Sequence, residues 1–130
     1  MEIVKQIQNQ CKFMFGFGKD KKKNDMDILE AYDLIVENES NPEFVILDVR
    51  TPGEFEENRI ETAKNIDYRS NNFKDELSKL GRDEKYLVYC RSGRRSSNAV
   101  KIMVDLGFTD VKNMKGGITK WINKGLPIKV

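Results

Sequence analysis

Two short, mainly apolar runs constrain this chain more than anything else in it: Phe44-Val45-Ile46-Leu47-Asp48-Val49, and Lys85-Tyr86-Leu87-Val88-Tyr89, which ends on Cys90. Neither alternates polar with apolar residues, so neither suits a strand with one face in water. Each reads as a strand covered on both faces, as in the parallel sheet of an α/β domain. The first is expected at the centre of that sheet. Both runs pass directly into a helix start. Thr51 can cap a helix whose first residue is Pro52. Beyond Cys90, helical periodicity runs from Arg95 to Leu106 through Ala99, Val100, Met103 and Val104, with Gly107 as its stop.

The other elements fall into the same alternation. A helix with the apolar residues Ile28, Leu29, Tyr32, Leu34, Ile35 and Val36 is capped by Asp25 or Asp27. Ala63 to Asp67 reads as a short strand, Phe73 to Leu80 as a helix stopped by Gly81, and Val111 to Met114 as a last strand. Gly116-Gly117 is a turn, and Ile118 to Asn123 a short helix carrying Trp121, the single tryptophan. Strands and helices in turn predict an α/β fold with a mainly parallel sheet. A length of 130 residues suits one domain, assigned to residues 25–130.

Residues 1–24 are of another character and read as an N-terminal amphipathic segment and basic linker. Ile3, Val4, Ile7, Cys11, Met14 and Phe15 recur near helical spacing, and Gly16-Phe17-Gly18 leads into Lys19-Asp20-Lys21-Lys22-Lys23. The simpler reading is a short helix that packs on the domain or frays from it. Membrane or partner contact has only one apolar face and four lysines in its favour. No run approaches the roughly 20 apolar residues of a membrane span, and no secretory signal is expected. A formal charge of +2 is too small to argue for nucleic acid as a partner. The two cysteines, Cys11 and Cys90, are far apart and in unlike segments, so reduced thiols and a cytoplasmic location are expected.

Cys90 stands where an α/β sheet places its chemistry, at the carboxyl end of a buried strand and the mouth of the next helix. The chain contains no histidine. That removes Ser-His-Asp triads, Cys-His pairs and imidazole-based zinc sites, so a nucleophile here needs another source of activation. Gly93 lets the loop Cys90-Arg91-Ser92-Gly93-Arg94-Arg95 curl until its backbone N–H groups converge on the sulfur, an anion nest that favours thiolate over thiol. The helix N-terminus and the three arginines act in the same direction. The alternative is a buried structural cysteine beside arginines that merely solvate a turn; three arginines, three serines and a glycine after a buried strand are useless as core and suited to an anion.

Cys90-Arg91-Ser92-Gly93-Arg94-Arg95-Ser96 resembles the active-site loop of the rhodanese superfamily. Leu47-Asp48-Val49-Arg50-Thr51-Pro52-Gly53-Glu54-Phe55 is similar to the first signature of that family, and the stretch from Gly116 to Ile128 to the segment that closes its domain. All three lie in the family's order over residues 25 to 130. The resemblance implies a three-layer domain, its mainly parallel sheet flanked by helices. It implies sulfur transfer in which Cys90 takes a sulfane sulfur from a small donor such as thiosulfate and passes it to a thiol or protein acceptor, with no metal or organic cofactor. On the same basis the backbone from Arg91 to Arg95 cradles the terminal sulfur, Arg91 and Arg94 bind an anionic donor, and Ser92 and Ser96 add hydroxyl donors. Asp48 and Arg50 brace the loop, and Glu54 pairs with one of its arginines. One departure stands out: Asn58-Arg59-Ile60-Glu61-Thr62-Ala63 replaces the family's Gly-His-Ile-Pro-Gly-Ala, so this turn is expected to be built differently.

Two other functions compete. Cysteine-dependent phosphatases share the fold, but their loop is one residue longer; here Arg95 comes five positions after Cys90, a tighter nest suited to sulfur rather than phosphate. A non-catalytic binding or sulfur-carrier module is the second, against which the retained Cys90 speaks. Cys11 is read as an apolar position of its segment rather than a second thiol in the cycle. Trp121 is read as packing the last helix onto the sheet near the loop.

Overall fold

The computed structural model describes residues 23–130; the amphipathic segment, the basic linker up to residue 22 and Cys11 lie outside the described residues. The elements follow one another as β1 (Asp25–Met26), α1 (Ile28–Glu37), β2 (Phe44–Asp48), α2 (Pro52–Glu57), β3 (Lys64–Asn65), α3 (Phe73–Ser78), β4 (Lys85–Tyr89), α4 (Arg94–Asp105), β5 (Asp110–Met114) and α5 (Gly117–Asn123). The five strands form one parallel sheet in the order β1-β5-β4-β2-β3. The α/β reading with a parallel sheet is therefore correct. The middle place, however, belongs to β4 rather than β2. The β2 run is still interior, because the two-residue β3 covers its outer side.

The strand period of two sorts side chains into two layers of core. Val45, Leu47, Val49, Tyr86, Val88, Cys90 and Val111 face α3 and α4 and pack with Phe73, Leu77, Ala99, Val100 and Met103. Ile46, Leu87, Tyr89 and Met114 face α1 and α5 and pack with Ile28, Ala31, Ile118 and Trp121. Burying each large apolar side chain contributes about 1.5–3 kcal/mol, which is why runs apolar on both faces went to the interior of the sheet. Trp121 packs the last helix as expected, 6.0 Å from the Tyr32 ring, with its indole N–H donated to Pro127 O at 2.8 Å. Its side chain lies on the sheet face opposite Cys90.

Local signals fixed three of the helix ends. Asp27 caps α1, its N–H donated to Glu30 Oε1 at 3.2 Å, whereas Asp25 enters β1 and accepts from Asn113 Nδ2 at 3.0 Å. Thr51 caps α2 with Pro52 as its first residue, and Gly107 ends α4 at φ +96°. Gly81 plays no such part: α3 ends at Ser78, and Gly81 has no left-handed φ. Because all strands run one way, α2, α4 and α5 start along a single edge of the sheet. That edge holds the Cys90 loop.

Candidate active site

Cys90 follows the last residue of β4 and is 1% exposed. Its Sγ accepts three donors: the N–H of Gly93 at 3.1 Å, the N–H of Ser96 at 3.4 Å and the Ser96 hydroxyl at 3.3 Å. Gly93, the N-cap of α4, sits at φ +99°, a left-handed conformation that costs an L-residue roughly 1–2 kcal/mol and glycine almost nothing. This inversion turns the chain back so that the first turn of α4 presents N–H groups to the sulfur. Those donors and the first turn of α4 enclose the sulfur on one side.

The loop residues divide by exposure. Arg91, Ser92 and Arg94 are exposed, Arg95 is half-buried and Ser96 fully buried. Arg95 is turned away from solvent by Glu54, with Nη1–Oε1 at 2.8 Å and Nη2–Oε2 at 3.1 Å. The Arg95 guanidinium, aided by the Thr51 cap, holds the Glu54 carboxyl down at about 2 against the burial that opposes it, and Glu54 in turn raises Arg95. Of the three arginines, Arg91 and Arg94 are thus the two left facing solvent at the loop.

Asp48 and Arg50 form a second, buried pair. Arg50 Nη2 lies 2.7 Å from Asp48 Oδ2, Nε is 3.1 Å from both carboxylate oxygens, and the Arg50 N–H is 2.8 Å from Oδ1. Burial works against the Arg50 charge, but the Asp48 carboxylate outweighs it and the pKa is raised. The guanidinium also donates to the Asn58 carbonyl and side chain, and stands 5.7 Å from the centre of the Tyr89 ring. These bonds tie the end of β2 to the following turn rather than to the loop residues 91–96; the link to the loop's root is the Val49 N–H on Tyr89 O at 3.0 Å. Three participants escaped the sequence reading: Asn58; Asn65, whose Nδ2 reaches Asp48 O at 3.0 Å and Arg50 O at 2.9 Å; and Tyr89, whose hydroxyl accepts the Ile60 N–H at 3.1 Å. Nothing in the spacing of two asparagines and a strand tyrosine announces those contacts.

The departing turn has a simple outcome. Ala63 N–H bonds Ile60 O at 3.1 Å and Thr62 takes φ +71°, the pattern of a type II turn with Glu61 and Thr62 at its two central positions. Proline and glycine are the residues such a turn prefers there, so the shape survives without them and a β-branched residue carries the strain. Arg59 stacks 4.9 Å from the centre of the Phe55 ring and donates to Phe55 O, while its backbone pairs with Lys129. It joins α2 to the end of the chain.

The loop is closed from its other side by α5. The N–H groups of Ile118 and Thr119 donate to the carbonyls of Cys90 and Arg91 at 2.9 and 3.1 Å.

Residues 30–124 match the family model described as "Rhodanese-like domain". The chain is 35% identical over 99 residues to Rhodanese-like domain-containing protein 17 of Arabidopsis thaliana, covering 67% of this chain and 64% of that protein. It is 36% identical over 93 residues to Thiosulfate sulfurtransferase 16, chloroplastic, of the same plant, covering 64% of this chain and 78% of that one. Among solved structures, a rhodanese-like domain protein from Staphylococcus aureus superimposes with a TM-score of 0.68 at 31% identity, over 82% of this chain and 99% of that one.

Proposed function

Because the chain belongs to the rhodanese-like domain family, we propose that it is a sulfurtransferase that carries a sulfane sulfur on Cys90 from a small anionic donor to a thiol or protein acceptor. The Cys90 thiolate attacks the outer sulfur of a donor such as thiosulfate. A Cys90–sulfur bond forms as the donor's sulfur–sulfur bond breaks, and the electron pair leaves with sulfite. An acceptor thiolate then attacks the outer sulfur of the persulfide, and the electron pair of the broken bond returns to Sγ. Neither step calls for a metal or organic cofactor, and the only proton moved is the one the acceptor thiol gives up.

The observation that carries this reading is the set of three donors on Sγ in a chain without histidine. They face Sγ in the thiolate that begins the cycle and is regenerated at its end. Arg91 and Arg94, exposed among the described residues, can attract an anionic donor. Arg95 comes five positions after Cys90, one fewer than in the phosphatase loop, and this spacing favours sulfur over phosphate.

Intact mass after incubation with thiosulfate is expected to rise by one sulfur atom that a reductant removes, and Cys90→Ser is expected to lack the gain. Turnover of an aryl phosphate without sulfur transfer would establish the phosphatase instead. No mass gain from any sulfane donor would leave a binding module.

A further inference from the structure

We propose that the Gly116-Gly117 turn and the first turn of α5 position the Cys90 loop, with Gly117 as the residue on which this depends; the proposal rests on the reading of Cys90 as the sulfur-carrying nucleophile. A trans peptide unit directs its C=O and N–H to opposite sides. A loop that gathers N–H groups on one side must therefore send carbonyls out of the other, and buried carbonyls need donors. The start of a helix has the opposite deficit, since its first N–H groups lack partners within the helix. Here the two needs are met together, by Ile118 and Thr119 donating to Cys90 O and Arg91 O. Those bonds orient the peptides that carry the N–H groups of Arg91 and Ser92, turning both away from α5.

Such an approach leaves no room at residue 117. A Cβ there would stand 2.3 Å from Arg91 O, 2.4 Å from Arg91 C and 2.6 Å from Cys90 O, all backbone atoms that cannot rotate aside, and φ is +65°. On the next contact a Cβ at Gly93 would lie 3.0 Å from Gly116 N. Loop and turn therefore meet glycine to glycine, and the loop's shape is set by a segment some 25 residues further along the chain. Gly125 supplies the comparison: its φ is +75°, yet nothing lies within 4 Å of its absent Cβ. Alanine at 125 suffers only the backbone strain, whereas alanine at 117 suffers the strain and displaces the loop.

The test compares Gly117→Ala, Gly117→Asn and Gly125→Ala in the full chain, asparagine being included because it tolerates left-handed backbone better than alanine. Two quantities are read: the pH profile of iodoacetamide labelling of the Cys90 peptide, and the rate of persulfide formation from thiosulfate. The Gly117 variants are expected to fold, by near-ultraviolet circular dichroism, to label about tenfold more slowly at neutral pH with the profile moved to higher pH, and to form persulfide correspondingly slowly. Gly125→Ala is expected to match the wild type in both. Folded Gly117 variants with unchanged labelling would overturn the proposal, as would an equal effect from Gly125→Ala. Loss of the fold in both Gly117 variants, with Gly125→Ala folded, would also overturn it, since the glycine would then serve the whole domain. A wild type that forms no persulfide would instead sink the functional reading, leaving the labelling profiles to decide on positioning.

Discussion

Arg95 and Glu54, 41 residues apart in the chain, face each other through two parallel hydrogen bonds of 2.8 and 3.1 Å. They meet because β2 and β4 are neighbours in register, Asp48 beside Tyr89, so the helices that follow the two strands begin side by side. The pair fastens the first turn of α4, whose N–H groups hold Sγ, to the first turn of α2.

Glu54→Gln keeps the shape and the reach to the Thr51 cap but removes the charge. It is expected to cost about 1–2 kcal/mol at pH 7, a figure lowered for partial solvent screening. The folded carboxyl titrates near 2 and an unperturbed one at 4.5, so the folded state resists the proton. The contribution is present in full above about pH 4.5 and is lost as pH falls towards 2. Urea melts at pH 7 and pH 3 check this: the gap between wild type and variant should narrow at the lower pH, and a constant gap would exclude the charge as its cause.

Asp48→Asn is expected to be more damaging, because Arg50, 3% exposed, would remain charged with its main partner gone. Breaking a buried pair from one side typically costs about 3 kcal/mol or more. Equilibrium unfolding at pH 7 measures it, and a loss under about 1 kcal/mol would show that Asn58 and Tyr89 suffice to hold the guanidinium.

Thr62→Gly should stabilise the protein. The β-branched residue at φ +71° gives up roughly 1–2 kcal/mol to its backbone conformation, and the greater freedom of glycine in the unfolded chain takes back part of the gain. A net gain of about 1 kcal/mol, or about 4 °C in Tm, is expected. Thermal unfolding with no rise would mean that the Thr62 side chain makes good its own strain.

Removing the exposed cations at the loop tests how the donor is recognised. Arg91→Ala and Arg94→Ala are each expected to raise KM for thiosulfate about threefold while leaving kcat nearly unchanged. Added salt should raise KM in the wild type and much less in the double variant. Equal KM values in 0.05 M and 0.5 M salt for the wild type would remove charge steering from the account.

The short-range features were legible in the sequence because their physics is short-range. Apolar runs betray strands covered on both faces, Thr51 and Pro52 begin a helix within four residues, and Gly107 ends one by its own backbone freedom. The same local chemistry singled out Cys90 in a chain without histidine. Gly81 misled because a glycine after a helix pattern is a stop only if its φ turns positive, and that depends on what the chain does next.

Contacts across the sheet could not be read in this way. Whether Glu54 would meet Arg91, Arg94 or Arg95, that Asn65 would bridge the carbonyls of Asp48 and Arg50, and that β4 rather than β2 would take the middle all follow from parallel strand order, which no local pattern encodes. The Cys90 loop shows the division most clearly. By itself the sequence determined a cysteine at a strand end, a glycine able to turn the loop and cations around it. Only the tertiary structure decided that α5 would close on the loop's carbonyls with Gly117 against Arg91, since a contact at that distance in the chain exists only once the sheet has brought both ends to one edge.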